Sequence, residues 1–469
     1  MYDLNEFLTN IDNAVWGILL LTLIMAVGVV ITLGTKLLQI IHLPKAIKFM
    51  FEDEQDGIGE VSSFAALCTA LSATIGTGNI IGVATAICTG GPGALFWLEV
   101  GAFFGMATKY AEGFLAVKFR HIEKDGTIVG GPFYYIEKGM GKRWRWLAIL
   151  FALFGLLAGI AGIGTITQIN GITSAVKNYF DPYTVNGISM FGNEYSICVV
   201  LSGLIVTICT ALVIFGGIKS ISRVSELVVP FMAIIYVLAV VAILIFNSSK
   251  IPSAIGVIIK SAFNPAAFTG GAVGSMFISM QKGIARGIFS NEAGLGSAPI
   301  AAASARTRDP VRQGLVCMMG TFIDTIVICT MTGIAIVITG AWQQPDLEGA
   351  AVSAYAFGVG LPFEPRISQF MLMIFLVFFA FTSILGWEYY SEKCLHYLVG
   401  QNKTALMVHK FVYIFAIFIG PYLSVSAVWT IADIFNGLMA FPNLIALIFL
   451  SRLVFNETNS YFERIKLLN

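Results

Sequence analysis

Apolar runs of the length needed to cross a bilayer recur along the whole chain, and that recurrence decides what it can fold into. A hydrocarbon core ~30 Å thick requires roughly 20 apolar residues per helix. Such runs occupy residues 14–35, 61–88, 93–117, 146–176, 195–216, 225–247, 271–304, 314–341, 367–390, 405–422 and 424–454. Of the 469 residues 57% are hydrophobic and only 12% are charged, against about 25% charged in a soluble domain. No soluble domain or low-complexity linker interrupts the series. The chain therefore reads as one all-α integral membrane domain of about eleven spans.

The first run is preceded by Asp3, Glu6 and Asp12, with no Lys or Arg before Lys36. It lacks the basic start of a signal peptide and reads as a span. The seven cysteines are odd in number and lie mostly inside spans, so they read as free thiols. Lys and Arg crowd the loops on one side of the series, the other side holding Lys177, Lys250, Lys260 and Arg366. Positive loops stay cytoplasmic, which places the N-terminus outside and the C-terminus inside.

Two spans break the apolar pattern. Ala73–Gly82 reads ATIGTGNIIG, and Gly274–Gly287 reads GSMFISMQKGIARG. Glycine costs a helix interior about 1 kcal/mol relative to alanine. In lipid every backbone N–H and C=O must find a partner, so an interrupted helix survives only where it lines a cavity or site. Glycines can also simply let helices approach closely, but packing alone does not call for Thr74, Thr77 and Asn79. The breaks fall in spans 2 and 7. The chain thus divides into an extra N-terminal helix with its following loop (14–60) and two five-helix blocks (61–247 and 271–454). Five is odd, so the second block runs inverted. Interrupted helices at matching positions of inverted repeats point to a transporter site at the bilayer midplane.

Other function classes fare worse. A membrane enzyme would need a carboxylate pair or a His/Asp cluster at one interface, and none is evident. His42, His121, His396 and His409 show no metal-ligand spacing. A channel would use a repeated filter, whereas two unlike breaks suit one asymmetric site. Lys109 and Glu112 are expected to pair or to snorkel at the cytoplasmic end. Lys282 and Arg286, with Glu292 beyond, suggest a cytoplasmic gate. Asp324 and Asp433 are candidate proton carriers.

At this point the residues resemble a known family. GGPGALFWLEVGAFFG (Gly90–Gly105), KYAEGFLAVKFR (Lys109–Arg120) and GIFSNEAGLGSAPIAAA (Gly287–Ala303) are similar to the alanine or glycine:cation symporters. GTGN (Gly76–Asn79) resembles the first broken helix of the leucine-transporter fold. One departure is Leu98-Glu99, where the family commonly has Met-Trp. The resemblance implies a five-plus-five inverted repeat after one extra helix, in the cell membrane. It implies Na⁺-coupled symport of alanine or glycine, with H⁺ coupling as the alternative. Beyond the amino acid, Na⁺ and lipid it implies no organic cofactor, nucleic acid or obligate protein partner.

The resemblance also carries site residues onto this chain. One cation site takes the Thr74 carbonyl, the Asn79 amide oxygen and the Ser279 hydroxyl. The other takes carbonyls of Ser72, Ile75 and Phe379 with the hydroxyls of Thr382 and Ser383. Na⁺ is a hard cation, and unwound carbonyls with hydroxyls supply its oxygens. The substrate carboxylate would meet the freed N–H groups of Thr77, Gly78 and Asn79. Gln168 is expected to bond the substrate directly. Phe277, Ile278 and Gln281 are expected to line the wall opposite. Ser383 and Trp387 are four residues apart and share a helix face, so Trp387 should limit substrate size unless it sits at the membrane interface.

Overall fold

A computed structural model describes residues 2–52, 54, 57–185, 187–190, 193–263, 275–423 and 425–468. Among these residues, eight helices are long and apolar enough to cross a membrane, and one bent pair makes a ninth. The helices Gly93–Phe119 and Ser275–Asn291 run between them. Two short hairpins, His121–Ile122 with Ile128–Val129 and Gly187–Met190 with Asn193–Ser196, lie in the loops. All seven cysteines are free thiols.

Packing divides the helices into two groups that meet at the first break. In one, Gly93–Phe119 packs against Ser275–Asn291 and Pro310–Thr321, with Ser63–Thr74 alongside. In the other, Arg145–Ala161, Ile166–Phe180, Pro365–Val399 and Val425–Leu468 pack on one another. Small residues make the close approaches. A Cβ at Gly283 would come 2.2 Å from the Ala94 carbonyl oxygen, and one at Gly287 would come 3.1 Å from Leu98 Cγ. These glycines serve helix contact, and they leave their helix intact.

That corrects the second break. The helix Ser275–Asn291 is continuous, so residues 275–287 of the expected interruption are helical; Gly274 lies outside the described residues. The chain leaves the helix later, at Glu292 (φ 57°), Gly294 (φ 87°) and Gly296 (φ 81°), before the short helix Ala298–Ala302. Left-handed backbone favours glycine, and the sequence NEAGLGS supplies two at this turn.

Candidate functional site

The first break begins where Ser63–Thr74 ends. Ser62 caps that helix, its Oγ accepting from Ala65 N–H at 3.0 Å. Ile75 and Gly76 leave the helix, Thr77 re-enters helical backbone, a wide π-type turn spans Gly78–Gly82, and Val83–Gly90 continues at a bend of 53°. The exposed amides and carbonyls are met by buried side chains, as a membrane interior demands. Asn79 Oδ1 accepts from Gly76 N–H at 2.9 Å, and Gln168 Oε1 accepts from Thr77 N–H at 3.4 Å. Ser353 Oγ donates to the Ile80 carbonyl at 3.0 Å. Thr77, Gly78, Asn79 and Gln168 are thus gathered at one place.

Ser383 joins them from the Pro365–Val399 helix. Its Oγ lies 3.4 Å from the Ile75 carbonyl oxygen and 3.1 Å from that of Phe379. Thr382 Oγ1 lies 3.0 Å from the same Phe379 oxygen. Ile75, Phe379, Thr382 and Ser383 therefore form an oxygen-lined corner of neutral donors, the kind a hard monovalent cation accepts. Ser72 sits nearby against Gly386, where a Cβ would come 2.8 Å from Ser72 Oγ. Ser72 Oγ itself donates to the Thr69 carbonyl at 2.7 Å.

Ser279 does not reach Asn79. The helices Ser275–Asn291 and Val83–Gly90 run antiparallel, with Ser290 beside Gly78 and Ser279 beside Gly90. A Cβ built at Gly78 lies 3.1 Å from Ser290 Cα, and one at Gly90 lies 3.3 Å from Ser279 Cα. Eleven residues separate the two serines, about 16 Å along a helix. Ser290 takes the expected place of Ser279, and its Oγ donates to Asp324 Oδ2 at 3.0 Å. Phe277 and Ile278 lie still farther along and are 60% and 47% exposed, so they do not wall this site. Gln281 lines a different cavity of about 70 Å³ with Asp12, Lys282, Arg286 and Asp433.

Asp324 is the main addition to the expected set. Its Oδ1 accepts from Asn79 Nδ2 at 2.7 Å and its Oδ2 from Thr325 Oγ1 at 2.7 Å. It is fully buried. A single aspartate in an otherwise apolar span was the available signal, without an indication of its partner.

The second break is held by carboxylates. Glu112 Oε1 accepts from Gly294 N–H at 3.1 Å, Gly296 N–H at 3.2 Å and Asn443 Nδ2 at 2.6 Å. Glu292 Oε1 accepts from the Trp387 indole N–H at 2.9 Å, and its Oε2 accepts from the Ser297 hydroxyl. Trp387 is fully buried, which removes the membrane-interface alternative. Lys109 and Glu112 are 2% and 0% exposed, so neither snorkels. No ion pair within 4.0 Å joins them among the described residues. Arg286 pairs with Asp433 at 3.7 Å, beside the N-terminal helix rather than with Glu292.

Comparison with known proteins agrees with this architecture. The profile described as the sodium:alanine symporter family matches residues 1–468. A Haemophilus influenzae protein described as an uncharacterized transporter is 51% identical over 465 residues, covering 99% of this chain and 97% of that one. A sodium/alanine symporter of Methanococcus maripaludis is 44% identical over 470 residues, covering 98% of each. Among solved structures, the crystal structure of MhsT in complex with L-phenylalanine superposes with a TM-score of 0.56 at 12% identity, over 85% of this chain and 98% of that one. The shared architecture is the leucine-transporter fold. By sequence, the chain belongs to the sodium:alanine symporter family, whose members are transporters and not enzymes.

Proposed function

We propose that this protein carries a small neutral amino acid, alanine or glycine, into the cell together with Na⁺ by alternating access. The observation that carries the reading is the oxygen-lined corner of Ile75, Phe379, Thr382 and Ser383 beside the amides of residues 76–79, which open the second half-helix. Cation and carboxylate would then bind as neighbours, each favouring the other by charge. Thr77, Gly78 and Asn79 would offer backbone N–H groups to the substrate carboxylate, with Gln168 alongside. Thr74, Asn79 and Ser290, with the Asp324 carboxylate, would hold a second cation. Trp387 would close the space one turn below Ser383 and keep the substrate small. The five-plus-five inverted repeat and an N-out, C-in topology complete the proposal, the topology supported by the distribution of Lys and Arg.

The test is uptake of labelled alanine into proteoliposomes under a Na⁺ gradient, repeated with choline replacing Na⁺. Saturable, Na⁺-dependent uptake that glycine competes and leucine does not is the expected result. Uptake that persists in choline and follows a proton gradient would replace it with the proton-coupled reading. That second reading is favoured by one observation, the buried Asp324 carboxylate bonded to Asn79.

A further inference from the structure

Lys109 has been taken out of water at the centre of the helix group that contains both breaks. It is 2% exposed and forms no ion pair within 4.0 Å among the described residues. An isolated buried ammonium is strongly disfavoured unless surrounding charge compensates it. The side chain lines a small cavity of about 10 Å³ together with Thr74, Asn291 and Cys317. Thr74 ends the first helix of one break, and Asn291 ends the helix before the other. Both helices therefore direct their negative C-terminal ends to this place. Three fully buried carboxylates also lie within the field of the ammonium: Glu112 on the same helix, Glu292 at the second break and Asp324 against Asn79. One positive charge shares this cavity with two helix ends, and its field reaches three buried acids.

We propose that Lys109 is a tethered internal cation, a positioning residue that offsets part of the negative potential between the two breaks. By doing so it sets how tightly the transported cation binds. The proposal rests on the Na⁺-coupled reading above. Removing the ammonium leaves the site more negative, so Na⁺ should bind more tightly. Neutralising one facing acid as well should undo the change. Glu292 is the acid to choose, because glutamine there still accepts the Trp387 indole N–H and Glu292 does not touch Asn79.

The experiment compares Lys109→Met, Lys109→Arg and Lys109→Met combined with Glu292→Gln with the unmutated protein. Two readouts are used, Na⁺ activation of alanine uptake and Na⁺-dependent thermal stabilisation of the purified transporter. Lys109→Met should lower the half-saturating Na⁺ concentration on the order of tenfold, the effect of removing a unit charge from within about 10 Å at an effective dielectric near 20. Lys109→Arg should keep the original value, and the double variant should return towards it. An unchanged value in Lys109→Met, or a double variant no different from it, overturns the proposal. If Lys109→Met does not fold, Lys109→Gln takes its place: a lowered half-saturation supports the proposal and an unchanged one overturns it. The unmutated protein in choline separates the two readings, because absence of any Na⁺ response there would defeat Na⁺ coupling itself.

Discussion

Replacing Gly76 by alanine adds a single methyl group where the first break meets the Pro365–Val399 helix. A Cβ built there comes 2.5 Å from Ser383 Oγ and 3.3 Å from Gln168 Oε1. At 2.5 Å the hydroxyl must move, and moving separates it from the Phe379 and Ile75 carbonyls. The hydroxyl has a single proton, shared between the two carbonyls, and a hydrogen bond of this kind contributes about 0.5–1.5 kcal/mol net, so the expected cost is on the order of 1 kcal/mol. The same hydroxyl is a proposed cation ligand, and a comparable loss of about 1 kcal/mol in Na⁺ binding corresponds to roughly a fivefold loss of affinity. The same substitution at Gly82 is the control. Nothing lies within 4 Å of a Cβ there, and the backbone is already helical (φ −61°, ψ −45°). Alanine at Gly82 should be neutral, or stabilising by up to about 1 kcal/mol. The assay is the Na⁺ activation curve of alanine uptake, with thermal melting of each purified variant. A Gly76→Ala protein with the original half-saturating Na⁺, beside a Gly82→Ala protein that has lost transport, would refute the reasoning. These glycines would then act in packing, and Ser383 would not be a ligand.

Thr382→Ala with Ser383→Ala should leave the protein folded while weakening Na⁺ activation more than either change alone; an unchanged Na⁺ dependence of uptake would remove both hydroxyls from the cation site. Trp387→Leu should admit valine- or leucine-sized competitors of labelled alanine. It should also lower thermal stability by about 1–3 kcal/mol, because Glu292 loses a buried donor, and an unchanged size cutoff in the competition panel would take Trp387 out of the pocket.

Eight or nine of the eleven expected spans recur as membrane-length helices among the described residues, legible because the bilayer imposes one length and one polarity on each. The first break was legible because Thr77 and Asn79 stand beside its glycines, and polar side chains in lipid demand partners. The second was misplaced because the same glycine density has two physical causes. Gly283 and Gly287 sit against Ala94 and Leu98 on a neighbouring helix, and nothing local separates such a contact from an interruption. The actual turn, at Glu292, Gly294 and Gly296, is shorter and lies beyond the expected stretch. Its partners Glu112 and Asn443 are far away in the chain, so the reason for a carboxylate inside an apolar span becomes visible only when the helices assemble. Lys109 was misjudged for the same reason. A lysine three residues before a glutamate reads as a local pair on a helix, yet both point into the interior towards other elements.

The two breaks are satisfied by different chemistry, and that difference bears on where a ligand can exchange. At the second break, Gly294 N–H and Gly296 N–H are both taken by one carboxylate oxygen of Glu112. One oxygen there already accepts from three donors, the third being Asn443 Nδ2, and a substrate carboxylate arriving there would have to compete with Glu112 and Glu292 for these donors. At the first break, the amides of Gly76 and Thr77 are held by the neutral oxygens of Asn79 and Gln168, the second of them at 3.4 Å. A substrate carboxylate can displace such acceptors with a net gain, because it offers the charge they lack. The Asn79 oxygen so released can then turn to a cation, and the oxygens of Ile75, Phe379, Thr382 and Ser383 are already adjacent. Under the proposed function, this asymmetry favours amino-acid exchange at the first break, with the second acting as a bend in the fold.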